Sequence, residues 1–188
     1  EFMRIGILLF IVFASGCASL GIVALPWSIS ESVSGFDNTK EIVMEPAWTQ
    51  DGALSSIKLG LYKTSKMEID SVILTVVVKG AYNFAPKESL QFNIDGQVIS
   101  LESIDDITKI ILDEGVYNSV AYIPPTSWSS KRYDVNKDLI NKLVNGKEVW
   151  VKVNLSQEYV EGKFSVDSFT CARPAFKKFY SKVWSVGK

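Results

Sequence analysis

A short hairpin signal in the middle of the chain constrains the fold most strongly. Residues 90–94 alternate apolar and polar side chains, Asp95 and Gly96 follow, and apolar residues return over residues 97–101. Asp followed by Gly accepts the positive φ angles of a tight two-residue turn. The pattern therefore predicts two antiparallel strands joined by a type I′ turn.

Comparable strand patterns recur along the chain from residue 41 onward. The predicted strands cover residues 42–44, 57–62, 72–78, 116–123, 132–135, 149–155 and 160–165. Residues 104–112 suit either a short helix or another strand, because periodicity does not separate the two in so short a run. Single glycines and prolines between these runs favour turns and hairpins over long crossover connections.

Two helices are predicted among the strands. Asn136 is a suitable N-cap for a helix over residues 137–144, which Gly146 ends. A second helix near the C-terminus has one apolar face, formed by Phe176, Phe179, Tyr180 and Val183. Such a basic amphipathic helix either lies on a membrane or covers a sheet, and the aromatic spacing favours the sheet.

The fold class follows from this order of elements. We expect an α+β domain that is mainly β, with roughly seven to nine mostly antiparallel strands in a β-sandwich or curved sheet. The short helix and the C-terminal amphipathic helix pack on that sheet.

The N-terminal residues follow a different pattern. Arg4 precedes an unbroken apolar run over residues 5–13, and small residues then lead to Cys17. The run is shorter than the roughly 20 apolar residues that span a bilayer. Its layout is that of a cleaved secretory signal.

This segment resembles the lipobox of bacterial lipoproteins through Ala14, Ser15, Gly16 and Cys17. The resemblance covers only residues 1–17, with Met3 as the start and Glu1 and Phe2 as upstream residues. It implies a diacylglyceryl group on the Cys17 sulfur and cleavage before Cys17. Ala18 stands where an aspartate would retain the protein at the inner membrane. The resemblance thus implies an outer-membrane protein facing the periplasm, if the cell has an outer membrane.

An uncleaved anchor is the alternative interpretation of the same region. Apolar residues resume over residues 20–25, so residues 5–27 form one candidate spanning helix that ends near Pro26. Glycines and serines dilute this run, and Arg4 alone is available to orient it. Both interpretations attach the folded part to a membrane.

The sequence thus divides into three parts. Residues 1–16 are the predicted signal peptide with its upstream residues, and residues 17–40 form a lipidated N-terminus and tether rich in serine and glycine. Residues 41–188 form a single β-rich globular domain. The apolar patch over residues 20–25 either lies on the membrane surface or docks on that domain.

Composition excludes several classes of function. The 20 Lys and Arg residues are balanced by 21 Asp and Glu residues, so the basic excess of a nucleic-acid binder is missing. The chain has no histidine, which removes Ser/His/Asp and Cys/His catalysis and the zinc sites built from Cys and His. If Cys17 is acylated, Cys171 is the remaining thiol and is expected to be a small buried hydrophobe.

Without histidine, catalysis by carboxylate side chains is the remaining route, and the sequence offers little support for it. Asp105 and Asp106 are adjacent, but neighbouring side chains do not face each other in a helix or strand. Asn93, Asp95 and Gly96 resemble the start of a calcium loop, yet the closing glutamate at the required spacing is missing. We predict no metal site and no cofactor.

An aromatic loop is the candidate binding surface. Trp128 follows Pro124 and Pro125 in a predicted extended loop over residues 124–130, and Tyr122 immediately precedes this loop. An exposed tryptophan can anchor a protein partner or stack on a sugar ring. In the alternative interpretation, Trp128 folds back over the end of the sheet.

These expectations combine into a functional hypothesis. The chain is expected to be a membrane-anchored envelope lipoprotein that acts as a non-catalytic protein-binding or scaffolding module for an envelope protein partner. The alternative is a lipoprotein that binds a small ligand or glycan through exposed aromatic residues. A carboxylate-based hydrolase is the weaker hypothesis.

Overall fold

The computed structural model describes residues 27–50, 55–113, 116–117 and 122–184. The predicted signal peptide, Cys17 and the apolar patch over residues 20–25 lie outside the described residues. In chain order the elements are β1 (Ile29–Val33), β2 (Lys40–Trp48), β3 (Ile57–Thr64), β4 (Ser71–Lys79), β5 (Leu90–Ile94), β6 (Gln97–Leu101), β7 (Lys109–Leu112), β8 (Val116–Tyr117), β9 (Tyr122–Ile123), β10 (Ser127–Asn136), α1 (Lys137–Asn145), β11 (Val149–Asn154), β12 (Tyr159–Lys163) and α2 (Ala172–Trp184).

Two antiparallel sheets form most of the fold. The larger sheet has six strands in the order β1-β2-β3-β4-β10-β7 and curls into a half-barrel. The smaller sheet has four strands in the order β12-β11-β5-β6, and β8 pairs with β9 in a separate ribbon. The prediction of a mainly β fold of the α+β class, with antiparallel strands and a C-terminal helix, is confirmed.

Strict alternation along the central strands builds the core. Along β4 the side chains of Val72, Leu74, Val76 and Val78 are fully buried, whereas their neighbours point to the outer face of the larger sheet. The Tyr133 hydroxyl and the Ser89 hydroxyl form a buried hydrogen bond of 2.7 Å. This bond joins β10 of the larger sheet to the segment that enters β5 of the smaller one.

Both predicted helices are confirmed. The Asn136 side chain accepts a hydrogen bond of 2.9 Å from the Leu139 backbone N–H, as expected of an N-cap. Helix α2 packs against β2, β3 and α1, and its Phe176 and Phe179 side chains are fully buried. The apolar face of α2 therefore covers the sheet.

The hairpin between β5 and β6 is also confirmed. Asp95 has φ 52° and Gly96 has φ 90°, which are the positive values that the turn requires. The Asp95 carboxylate accepts hydrogen bonds from the backbone N–H groups of Lys147 and Glu148. These hydrogen bonds give the Asp95 carboxylate a structural role that needs no calcium ion. They also hold the pKa of Asp95 below its usual value.

Three predicted segments differ in the structure. A single strand over residues 116–123 is wrong, because β8 and β9 are separate strands that pair antiparallel with each other. The segment over residues 104–112 forms a strand only from Lys109 to Leu112. Finally, β1 pairs with β2 along its whole length, so residues 29–33 of the predicted tether belong to the larger sheet.

Trp27, the first described residue, contacts the segment that immediately precedes α2. Trp27 is 8% exposed, and its indole N–H donates a hydrogen bond of 2.7 Å to the Phe169 carbonyl. Among the described residues, no helix combines the length and the apolar character that crossing a membrane requires.

Candidate functional site

The predicted binding residues do not form one exposed loop. Pro124 and Pro125 are exposed between β9 and β10, and Tyr122 is exposed on β9. Trp128 instead lies within β10, paired with Lys79 of β4 and Ile111 of β7, and is half-buried. The prediction of a loop is therefore wrong from Ser127 onward, because this segment is paired on both sides.

Trp128 is part of a compact aromatic cluster on the outer face of the larger sheet. Its ring centroid is 5.8 Å from that of Trp48, and the Lys58 ammonium lies 4.4 Å from the Trp48 centroid and 4.2 Å from the Trp128 centroid. The Trp128 indole N–H donates to the Asp113 carboxylate. Burial lowers the pKa of Lys58, and the Asp113 charge partly opposes that shift. Residues of the same chain thus occupy much of the ring surface that a partner would need.

Strand β7 forms the last strand of the larger sheet on one side. It pairs with β10 along Leu112–Ser127, Ile111–Trp128, Ile110–Ser129 and Lys109–Ser130. No other described strand pairs with its outer edge. The sheet therefore ends at β7 in the part of the chain that the structure describes.

The backbone groups at this edge can be assigned from the pairing. The Asp113 N–H donates to the Thr126 carbonyl at 2.9 Å, which makes this pair hydrogen-bonded. Hydrogen-bonded and non-hydrogen-bonded pairs alternate in an antiparallel ladder, so Ile111 bonds to β10 whereas Ile110 and Leu112 do not. The N–H and C=O groups of Ile110 and Leu112 therefore face away from the sheet.

Aliphatic side chains accompany these outward backbone groups. Ile110 is 47% exposed and Leu112 is 70% exposed, and Ile107 just before the strand is 81% exposed. An edge strand with unpaired backbone groups and exposed aliphatic side chains is a template for pairing with another chain. We call Ile107, Ile110, Ile111 and Leu112, with the backbone of β7, the β7 edge.

The opposite edge of the same sheet is protected differently. Strand β1 carries Ser30, Glu31 and Ser32, and the Glu31 carboxylate pairs with Lys40 at 2.6 Å and with Lys182 at 2.7 Å. Polar and charged side chains discourage pairing of an edge strand with another chain. The β7 edge has no comparable ion-paired carboxylate among the described residues.

A groove runs beside the β7 edge on the outer face of the larger sheet. Its volume is about 870 Å³, and its apolar walls include Ile107, Ile111, Val77 and Pro46. A second depression of about 420 Å³ shares Pro46, Thr75 and Arg132 with it. Together they form a channel on the outer face of the sheet that has apolar walls and also contains the Arg132–Asp105 ion pair in its lining.

The carboxylates that the sequence singled out have structural partners. Asp105 accepts a hydrogen bond of 2.7 Å from the Arg132 guanidinium and another of 2.7 Å from the Arg132 backbone N–H. These contacts hold the pKa of Asp105 below its usual value, which suits an ion pair better than a proton donor. Among the described residues, no group of His, Cys, Asp or Glu side chains is arranged to hold a metal ion.

Cys171 lies at the start of α2 and is fully buried, as expected for a small hydrophobe.

Two exposed features were not identified from the sequence. The consecutive apolar residues 110–112 do not alternate, and this lack of alternation was the available signal for a strand with unusual surroundings. Trp150 occupies a polar position of the alternating strand β11, which was the signal for an outward-facing ring.

Comparison of the chain with protein-family models, curated proteins and solved structures found no significant match.

Proposed function

We propose that this chain is a membrane-tethered, non-catalytic module that binds an extended segment of a partner protein along the β7 edge. The observation that carries the proposal is the outward direction of the Ile110 and Leu112 backbone groups, flanked by exposed aliphatic side chains. Adding a strand satisfies such an edge with main-chain hydrogen bonds and gives specificity through alternate side chains.

The surroundings of the edge define the chemistry of the partner segment. On the outer face, the groove beside Ile107 and Ile111 accepts apolar side chains of the added strand. On the opposite face, Ile110 and Leu112 provide a second aliphatic surface. The preferred segment is therefore extended and carries aliphatic residues on both faces. Burial of these side chains contributes about 25 cal/mol per Å² of apolar surface.

The membrane tether rests on the lipobox resemblance that ends at Cys17. Trp27 is held to the fold by its hydrogen bond to the Phe169 carbonyl, so residues 18–26 are the part of the chain that separates Cys17 from the fold. Such a segment spans at most about 30 Å when fully extended. The partner is consequently expected at the membrane surface, and β1 and β7 are opposite edges of the sheet, so attachment at one leaves the other accessible.

The structural partners of Asp105 and Asp95 support binding over carboxylate catalysis. The geometry of Trp128 supports a structural role for this ring. The proposed contact surface is therefore the neighbouring β7 edge and not the predicted loop over residues 124–130. Pro124, Pro125 and Tyr122 lie next to β10 in sequence and are retained as candidate peripheral contacts.

Site-specific photo-cross-linking in cells that make the full, membrane-anchored chain tests the proposal. A photoreactive residue at position 112 is compared with the same residue at Ser30 on the β1 edge and at Val98 on the smaller sheet, both of which are exposed. We expect a discrete protein adduct from position 112 and none from the two control positions.

A second substitution identifies the backbone contribution. Ile110→Pro removes an outward N–H without removing a hydrogen bond to β10, whereas Ile110→Thr keeps that N–H. The adduct should be lost with Ile110→Pro and retained with Ile110→Thr, at unchanged melting temperature. An adduct with the mass of two chains would identify a second copy as the occupant and contradict the proposal. Absence of any adduct, or an adduct insensitive to proline, would also contradict it.

A further inference from the structure

The outer face of the smaller sheet contains a shallow depression of about 380 Å³, which is within the size range of small-molecule sites. Its lining comes from neighbouring strands β12, β11, β5 and β6. The side chains that border it are Gln91, Asn93, Val98, Trp150, Lys152 and Glu161. All of them are held on paired strands, so the surface is preorganised.

Trp150 provides the apolar surface of this depression. The residue is 38% exposed, and its indole N–H donates a hydrogen bond of 3.1 Å to the Glu148 carboxylate. The Lys163 ammonium lies 5.7 Å from the centroid of the ring. These contacts fix the orientation of the indole and satisfy its polar atom, leaving hydrocarbon surface for a ligand to stack on.

Polar side chains in the depression offer both donors and acceptors. Asn93 lies opposite Trp150 in the ladder, and Gln91 lies opposite Lys152. Gln91 donates a long hydrogen bond of 3.3 Å to Ser100. Amide groups donate and accept simultaneously, which matches hydroxyl groups that do the same.

The charges in the depression balance locally. Lys152 pairs in register with Glu161 on β12, so the lining carries one positive and one negative side chain, and the Lys152 ammonium lies 4.2 Å from the centroid of the Tyr159 ring. A site for an anion or a cation needs a surplus of one sign, and the four polar side chains here have none. The combination favours an uncharged ligand that has an apolar face and a rim of hydroxyl groups.

We propose that this depression binds a neutral saccharide ring, stacked on Trp150 and hydrogen-bonded by Asn93, Gln91, Lys152 and Glu161. A pyranose has the required chemistry, because its C–H groups form an apolar face and its hydroxyl groups lie at its edges. The site is on the other sheet from the β7 edge and does not depend on the proposed protein partner.

The other tryptophans of the chain lack this geometry. Trp27 is buried, Trp48 and Trp128 contact Lys58, and Trp184 donates its indole N–H to the Ile69 carbonyl while packing 5.0 Å from Tyr180. Trp150 is therefore the tryptophan that combines an exposed ring with surrounding amide and charged side chains.

Titration of the full chain with maltohexaose, cellohexaose and chitohexaose, followed by the NMR signal of the Trp150 indole N–H, tests the proposal. We expect at least one of these neutral probes to shift that signal with a Kd of about 1 mM or tighter. Trp150→Ala, followed instead by the backbone amide signals of residues 91–93 and 150–152, should weaken binding by at least about 10-fold, and Asn93→Ala, which keeps the ring, by about 5-fold. Phe169→Ala removes an exposed aromatic ring outside the depression and should leave binding unchanged.

Three results would overturn this proposal. The first is the absence of any shift of the Trp150 signal with all three saccharides at about 10 mM. The second is binding of equal strength in Trp150→Ala. Hexagalacturonic acid serves as the anionic comparison, and tighter binding of this acid than of every neutral probe would contradict the inference drawn from the balanced charges.

Discussion

The Lys58 ammonium lies 4.2 Å from the centroid of the Trp128 ring, although Lys58 and Trp128 are on strands separated by β4. The same ammonium lies 4.4 Å from the centroid of the Trp48 ring, and the centroids of the two rings are 5.8 Å apart. A cation in contact with two neighbouring indole rings ties three strands of the larger sheet together on its outer face. This contact determines how Trp128 contributes to the protein.

Trp128→Ala is expected to destabilise the fold by about 2 kcal/mol, because an aromatic pair and a cation–π contact are lost together. Chemical denaturation measures this change in the free energy of unfolding. Trp150→Ala is the matched control, since its ring is exposed on the smaller sheet, and it should cost less. Equal stability of Trp128→Ala and the unchanged chain would show that the cluster is not structural.

Glu31 is expected to link stability to acidic pH. Hydrogen bonds from Lys182 and Lys40 lower the pKa of its carboxyl group from 4.5 to about 2. A lowered folded-state pKa stabilises the fold above the unfolded-state value, and this contribution is lost as the pH falls toward about 2. The difference in unfolding free energy between the unchanged chain and Glu31→Gln should therefore be constant above about pH 5 and vanish near pH 2.

Lys182→Met provides the control for this titration. Removing the partner on α2 should raise the pKa of Glu31 and move the loss of stability to higher pH. A difference between Glu31→Gln and the unchanged chain that persists at pH 2 would contradict the role assigned to this ion pair.

Arg173→Lys is expected to destabilise the protein by about 3 kcal/mol. The buried guanidinium donates to the carbonyls of Val144, Gly146 and Ser165, at 3.1, 2.7 and 3.0 Å respectively. Lysine does not reproduce this planar arrangement, so buried carbonyls at the end of α1 lose their donors. Thermal and denaturant unfolding measure the change.

Arg132→Lys is the matched control for that substitution. The Arg132 side chain is 58% exposed and pairs with Asp105 at the surface, so its replacement should cost less than about 1 kcal/mol. Similar losses for both variants would indicate that burial of Arg173 adds nothing to its contribution.

Phe179→Ala is expected to cost about 3–5 kcal/mol, because the fully buried ring leaves both a transfer cost and a cavity. Ser181 lies on the exposed side of the same helix, so Ser181→Ala should change the free energy of unfolding by less than about 0.5 kcal/mol. A loss below about 1 kcal/mol for Phe179→Ala would mean that α2 is peripheral to the core.

Local sequence signals predicted the elements whose geometry is set locally. Asp95 and Gly96 specify their turn, and Asn136 specifies the start of α1 through its own side chain. Strand β1 was not predicted, because Ser30, Glu31 and Ser32 have no strand pattern and become extended only through pairing with β2.

The predicted loop position of Trp128 is wrong for a related reason. Prolines and hydroxyl residues before it indicate a loop, whereas pairing with both β4 and β7 extends β10 back to Ser127. Strand order brings residues far apart in sequence together, so neither the contact of Lys58 with two indole rings nor the open edge at β7 is encoded in a local pattern. The outward position of Trp150, in contrast, follows directly from the alternation of β11.

Amide hydrogen exchange along β7 tests the central claim most directly. In the isolated, monomeric chain, the Ile111 amide should be protected by its bond to β10, whereas the Ile110 and Leu112 amides should exchange at least about 100-fold faster. Partner binding should slow exchange at Ile110 and Leu112 and leave Ile111 little changed. Equal protection of all three amides in the isolated monomer would show that the chain already covers this edge and would contradict the proposed strand addition.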